Sequence, residues 1–268
     1  MSGPEITSPS NPGVQTASRL RERRDREVLG RTLVDGAREI SRAISSGVDL
    51  IELFVCLDVA TSADAVSALA DARKTAARIT PVNPVVLAKL AYGDRSDGLV
   101  AVIRTPATDL GQLVLPAVPL VVVAESLEKP GNLGAILRSA DGAGVDALVV
   151  TDPVTDVFNP NAIRASLGTI FAVPVAVATT AATIAWLRAS GLAIVVARVD
   201  GSVPYSEADL RGPLAIVLGS EAHGLADAWA GPDIKAVRLP MLGIADSLNV
   251  SAAAAILLYE ARRQRDLS

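Results

Sequence analysis

The residues most able to do chemistry in this sequence lie in short polar clusters beside apolar runs. Asp246-Ser247-Leu248-Asn249 sets a polar cluster, split by one leucine, at the head of an Ala/Leu-rich run that turns basic at "YEARRQRD". Two roles compete for it: capping the orphan N–H groups of a helix's first turn, or presenting polar atoms to a ligand. Asn132 and Arg138 lie in "PGNLGAILRSADGAG", where Gly131 and Gly134 allow close backbone approach on both sides of the asparagine. Their spacing need not share a helix face, so they converge if Asn132 lies in the turn before the helix. Glu221 follows Gly219 at the end of an apolar run in "VLGSEAHGL", placed to orient another group or to cap a helix. His223, the one histidine, has no identifiable partner, which favours a structural role over that of a base.

Several chemistries fall away at once. With a single histidine and a single cysteine, Cys56, neither a His/Cys zinc site of ordinary ligand count nor an intrachain disulfide framework can form. No G-x-S-x-G elbow, G-x-x-x-x-G-K-[ST] phosphate loop or G-x-G-x-x-G fingerprint is present. Net charge is −4, from 25 basic and 29 acidic residues, which neither marks nor excludes a nucleic-acid binder. Arg19, Arg21, Arg23, Arg24 and Arg26 crowd into "RLRERRDRE" among acidic neighbours. From charge alone, a solvated helix with local ion pairs is favoured there over a binding patch. No apolar run has the length of a membrane span, and "MSGPEITSPSNPG" lacks a signal pattern, so the expectation is a cytoplasmic protein with no membrane partner.

Elements must hold these clusters in place. Apolar residues make up 50 % of the chain but aromatics only 3 %, so the core is built from Val, Ala, Leu and Ile. "PLVVVAES" and "DALVVTD" have the pattern of strands buried on both faces, as in a helix-covered parallel sheet. After a Pro/Ser/Asn-rich start (1–12), the pattern predicts a helix over 14–28, then strand, helix, strand, helix and a closing strand at "GLVAVIRTP". This gives a domain over 13–105, a linker at 106–117 and a second domain over 118–268. In the second, strands "LVVVAES", "ALVVTD", "AIVVARVDG", "PLAIVLGSE" and "KAVRLPM" separated by helices predict an α/β fold with a doubly wound parallel sheet. Ligands bind beyond the carboxyl ends of such strands, which singles out the loops holding the clusters described above.

Those loops, in their order over residues 119–264, resemble the signature motifs of the SPOUT methyltransferases, in the TrmH/SpoU branch. The matching stretches are "NLGAILRSA", "VLGSEAHGL" and "LPMLGIADSLNVSAAAAILLYE", with "FNPNAIRASLGTIFAVPV" between the first two. The N-terminal half, from "ITSPSNPGVQTASRLRERRD" to "GLVAVIRTP", resembles the ribosomal-protein-like RNA-binding domain of ribosomal-RNA members. The resemblance implies a deep C-terminal trefoil knot, a homodimer whose protomers complete each other's active site, and S-adenosylmethionine as donor for RNA ribose 2′-O-methylation, with no metal. It assigns cofactor contacts to Gly219, Leu239, Met241 and Leu248. Ala222 departs from a glycine common in the family.

The resemblance gives Arg138 the hydroxyl-activating role, supported by Asn132, Glu221, Ser247 and Asn249. Because arginine keeps its proton in proteins, we read Arg138 as an electrostatic stabiliser and hydroxyl positioner, the proton passing to an RNA phosphate or to solvent. RNA contact is expected first at Arg164, then at Arg19, Arg21, Arg23, Arg24 and Arg26. Ribosomal RNA, most simply 23S, is favoured as substrate over tRNA because of the added N-terminal domain. A non-catalytic RNA-binding or ribosome-assembly protein of the same fold is the competing reading. A sugar-phosphate enzyme using His223 is more distant.

Overall fold

The computed structural model describes residues 4–92, 97–220 and 222–267. They form two compact units, one of residues up to 106 together with 158–172, the other of 107–157 with 173–268.

The first unit contains α1 (Pro12–Arg19), α2 (Arg23–Leu29), β1 (Arg31–Asp35), α3 (Ala37–Ser45), β2 (Leu50–Val55), α4 (Ala63–Ala72), β3 (Arg78–Pro81), α5 (Pro84–Leu90) and β4 (Leu99–Arg104). Its sheet runs β1-β4-β2-β3, antiparallel except for the β2/β3 pair. Val14, Leu20, Leu33, Phe54, Val86 and Leu90 form part of a buried core in this unit. The single helix expected over 14–28 is instead two. Leu20 drops into the core, and the Arg26 guanidinium donates to the carbonyls of Leu20 (2.9 Å) and Arg21 (2.7 Å), satisfying acceptors that the break exposes. The reading also missed β3 and α5, although Asn83 capping the Val86 N–H before Pro84 is an ordinary helix-start signal.

The second unit contains β5 (Leu120–Glu125), α6 (Pro130–Ala143), β6 (Ala147–Thr151), β7 (Val175–Ala178), α8 (Thr180–Ala189), β8 (Ala193–Ala197), β9 (Val203–Pro204), β10 (Leu214–Leu218), β11 (Ile234–Arg238) and α9 (Val250–Asp266). All its strand pairs are parallel, in the order β7-β6-β5-β10-β8-β11-β9. β5, β6 and β10 are buried along their whole length, as their unbroken valine and leucine runs require. Among the described residues no α-helix joins β8 to β10 or β10 to β11; one-turn 3-10 helices at Tyr205–Glu207 and Asp227–Trp229 stand where helices were expected. The first connection is used instead as the edge strand β9, and the second has its backbone held by a side chain of β5.

The stretch 158–172, read from sequence as part of the second domain, belongs to the first unit. Thr32 Oγ1 donates to the Phe158 carbonyl (2.8 Å) and Arg42 to that of Leu167 (2.7 Å). Between these ties lies α7 (Pro160–Ala165), which carries Arg164.

Candidate active site

The carboxyl ends of β8, β10 and β11 open into a cavity of about 840 Å³, a volume suited to a small organic ligand. Gly219 after β10, Leu239 and Met241 after β11, and Ser247 and Leu248 before α9 all line it. The sequence places them there because each follows a strand or precedes a helix, where the chain must turn. Gly219 permits the tightest of these turns. A Cβ there would sit 2.3 Å from the Gly224 carbonyl carbon, because Ser220 and Gly224 exchange backbone hydrogen bonds of 3.0 and 3.1 Å directly across from it. Gly224 has φ +67°, the left-handed conformation that the turn needs.

One cavity wall carries charge that the sequence reading did not single out. Arg198 pairs with Asp200 through contacts of 2.9 and 3.2 Å, and both line the cavity. The hydrogen bond from Arg198 holds the Asp200 carboxyl below the usual carboxylate range. Arg238 donates to the carbonyls of Gly201 (2.7 Å) and Ser202 (2.9 Å), fixing the loop that presents the pair. The available signal was positional: Arg198 and Asp200 follow directly on the buried strand β8. His223 also lines the wall, and its backbone N–H donates to Ser220 Oγ at 3.1 Å.

Asn249 does two things at once. Its side chain accepts from the Ser251 N–H (2.9 Å), capping α9, and its Nδ2 donates to Asn132 Oδ1 at 3.2 Å. Asn132 therefore lies inside the first turn of α6, not in the turn before it, and Arg138 projects about 120° away around the same helix. Arg138 is exposed, does not line the cavity, and has no hydrogen bond or ion pair among the described residues. The structure thus brings Ser247 to the cavity and Asn132 to Asn249, but leaves Arg138 apart from both. Glu221 lies outside the described residues.

The arginines chosen for RNA contact divide sharply. Arg26 is buried against the two carbonyls of the helix break, so it is not available to a phosphate, contrary to the reading from charge density. Arg164 is also engaged: it donates to Asp35 (3.2 Å) and to the Tyr92 carbonyl. Arg21 lies 4.9 Å over the Tyr92 ring and donates to the Ala91 carbonyl. Arg19 pairs with Asp25 and Arg23 with Glu27, both at 2.7 Å. Arg24 alone of this group is exposed with no ion pair or hydrogen bond among the described residues. Burial raises the carboxyls of Asp35 and Glu39 above their ordinary values, although the Tyr92 N–H and Arg164 pull Asp35 back down. Among the described residues no group of His, Cys, Asp or Glu side chains is arranged to hold a metal, and no helix is long and apolar enough to cross a membrane.

Comparison with known proteins gives the following. The profile described as the SpoU rRNA Methylase family matches residues 119–259, and one described as an MRM3-like substrate binding domain matches residues 11–101. A 23S rRNA (uridine(2479)-2′-O)-methyltransferase of Streptomyces viridochromogenes is 32 % identical over 97 % of this chain and 92 % of its own length. A crystal structure of an RNA 2′-O ribose methyltransferase is 39 % identical, covers 99 % of both chains and superposes with a TM-score of 0.85. The SpoU methyltransferase AviRb from Streptomyces viridochromogenes, solved in complex with the cofactor AdoMet, is 31 % identical, covers 96 % of this chain and 98 % of its own, and gives a TM-score of 0.87.

Proposed function

The chain belongs to the SpoU rRNA methylase family, and from that premise we propose that it methylates a ribose 2′-hydroxyl of 23S ribosomal RNA with S-adenosylmethionine as donor. The observation that carries this reading is the cavity at the ends of β8, β10 and β11. Its mixed wall of glycine backbone, apolar side chains and polar groups suits a ligand that is part flat ring and part charged chain. Gly219, Leu239, Met241 and Leu248 would hold the cofactor, with backbone approach at Gly219 possible because no Cβ intervenes. When bound, S-adenosylmethionine supplies an electrophilic methyl group on a sulfonium.

The protein's own residues then have to align a weak nucleophile and stabilise developing charge. Ser247 stands at the cavity wall, and the Asn132–Asn249 hydrogen bond fixes the start of α6 against the start of α9. Arg138 positions the ribose hydroxyl and does not act as a base, since a guanidinium does not give up its proton here. Glu221 completes the supporting set. Because Arg138 stands apart from the cavity of its own chain, it acts in a homodimer, where a second copy completes the active site. Leu242 and Ile244, fully exposed on the loop that forms the cavity wall, are apolar surface for a second copy to cover. The C-terminal trefoil knot and a cytoplasmic location belong to the same reading. RNA phosphates would meet the first unit at its uncommitted cations, Arg24 foremost.

The test is a methyl-transfer assay with labelled S-adenosylmethionine and separate ribosomal-RNA and tRNA fractions. The expected outcome is 2′-O-methylribose in the ribosomal fraction. Arg138→Ala should cut turnover by about a hundredfold while leaving donor affinity within about twofold, as loss of an orienting group requires. Label in tRNA alone would refute the substrate, and an equal loss of donor affinity would refute the role of Arg138.

A further inference from the structure

A glutamate at the end of a fully buried strand is an uncommon use of a core position, because burying a carboxyl is costly unless it is hydrogen-bonded. Glu125, the last residue of β5, is only 4 % exposed. Its Oε1 accepts from Trp229 Nε1 (2.8 Å) and Thr180 Oγ1 (2.7 Å), and its Oε2 accepts from the Ala226 backbone N–H (2.8 Å). Directly after it the backbone turns left-handed, with Ser126 at φ +51°.

We infer that Glu125 is a positioning residue for cofactor binding, acting through the loop between β10 and β11. This rests on the reading of the cavity as the S-adenosylmethionine site. One end of the loop is fixed by the sheet, where Leu218 stands opposite Ala124 of β5. The other end is fixed by Glu125, which grips Ala226 and Trp229. Between these anchors lie Gly219, Ser220, His223, Gly224 and Leu225, every one of them on the cavity wall. Glu125 itself is not on that wall, so it touches no ligand and works by holding the second end of the loop to the strand that already holds the first. The carboxylate suits the task because it only accepts, and all three of its partners donate. Glutamine would turn an N–H group towards a donor at one of these places.

The experiment compares native full-length protein with Glu125→Gln and Trp229→Phe, measuring S-adenosylhomocysteine binding by calorimetry, steady-state kinetics against S-adenosylmethionine, and circular dichroism. Glu125→Gln should raise the KM for the donor and the Kd for the product about tenfold, with kcat at saturating donor falling much less, as expected for a lost charge-assisted hydrogen bond. Trp229→Phe keeps an aromatic side chain but deletes the indole N–H with the five-membered ring that carries it, and should give a smaller rise of about threefold. A purely structural role would reduce the active fraction, lowering kcat with KM unchanged, and that result in either variant overturns the inference. If Glu125→Gln does not fold, Trp229→Phe decides alone by the same criterion. Failure of the native protein to bind the product would instead overturn the cavity assignment, and this inference with it.

Discussion

Asn249 both caps α9 and bonds Asn132, and two substitutions separate the cap from the chemistry proposed for the pair. Asn249→Ala removes the cap on Ser251 and the hydrogen bond to Asn132 together. Loss of a polar cap costs about 1 kcal/mol, and loss of the largely exposed Asn132 bond about 0.5–1 kcal/mol. α9 persists because Val250, Ala254, Leu257, Leu258 and Ala261 stay buried. At roughly 2–4 °C per kcal/mol for a domain of this size, the melting temperature should fall by about 3–8 °C. Asn249→Asp keeps an oxygen for the Ser251 N–H and adds negative charge at the positive end of α9, so the cap survives. It has no N–H for Asn132, however, and sets two acceptors against each other where the distance is now 3.2 Å. Its melting temperature should stay within about 2 °C of native, while methyl transfer at saturating donor falls about ten- to a hundredfold. Differential scanning calorimetry and initial rates on the same preparations make the comparison. A native rate in Asn249→Asp would show that Asn249 is a cap and nothing more; a native melting temperature in Asn249→Ala would remove even that.

The other predictions are briefer. Gly219→Ala places a methyl 2.3–2.7 Å from the backbone of Gly224 and Leu225, so calorimetry should show a loss of about 1–3 kcal/mol and donor binding should be abolished; unimpaired binding would refute the close approach. Arg26→Ala strips two carbonyls of their donor and should destabilise by about 1–3 kcal/mol, measured by urea unfolding. Arg24→Ala should leave stability within about 0.5 kcal/mol but weaken RNA binding and flatten its salt dependence by roughly one counterion. Asp35 and Glu39 bind protons more tightly folded than unfolded. Their contribution is therefore full below their ordinary values of 3.8 and 4.5 and is lost as pH rises through the folded ones. The melting-temperature difference between Asp35→Asn, which cannot ionise, and the native protein should move in the variant's favour as pH rises above 3.8; movement the other way would refute the sign.

How much of this was legible in the sequence depended on how far apart the interacting residues lie. Strand ends are local: β5, β6 and β10 announce themselves as unbroken apolar runs, and Gly219 and Ser220 just beyond β10 fall on the cavity without further information. The individual residues Gly219, Leu239, Met241, Ser247 and Leu248, which line the cavity, were singled out by the resemblance of their motifs to a known family. Glu125 was not, because its meaning resides in Trp229 and Ala226, each more than 100 positions away. A glutamate closing "LVVVAE" looks like the first exposed residue after a strand until its donors are known.

The arginines make the same point more severely. An RNA phosphate is met most readily by an exposed cation with donors to spare, and exposure is a property of the fold, not of composition. Arg19 to Arg26 offer the highest density of positive charge, yet Arg26 is the residue that makes the break between α1 and α2 tolerable. Arg164 sits in a stretch resembling a methylase motif, but 129 positions separate it from the Asp35 that holds it. Asp35 in turn accepts the Tyr92 N–H, while Arg164 and Arg21 take the neighbouring carbonyls of Tyr92 and Ala91. These side chains therefore fix the backbone at 91–92 from several directions, and removing any one exposes a buried acceptor or charge. Density of arginine in this unit marks where the fold needs donors. The cations left over, such as Arg24, are where the proposed RNA contact would fall.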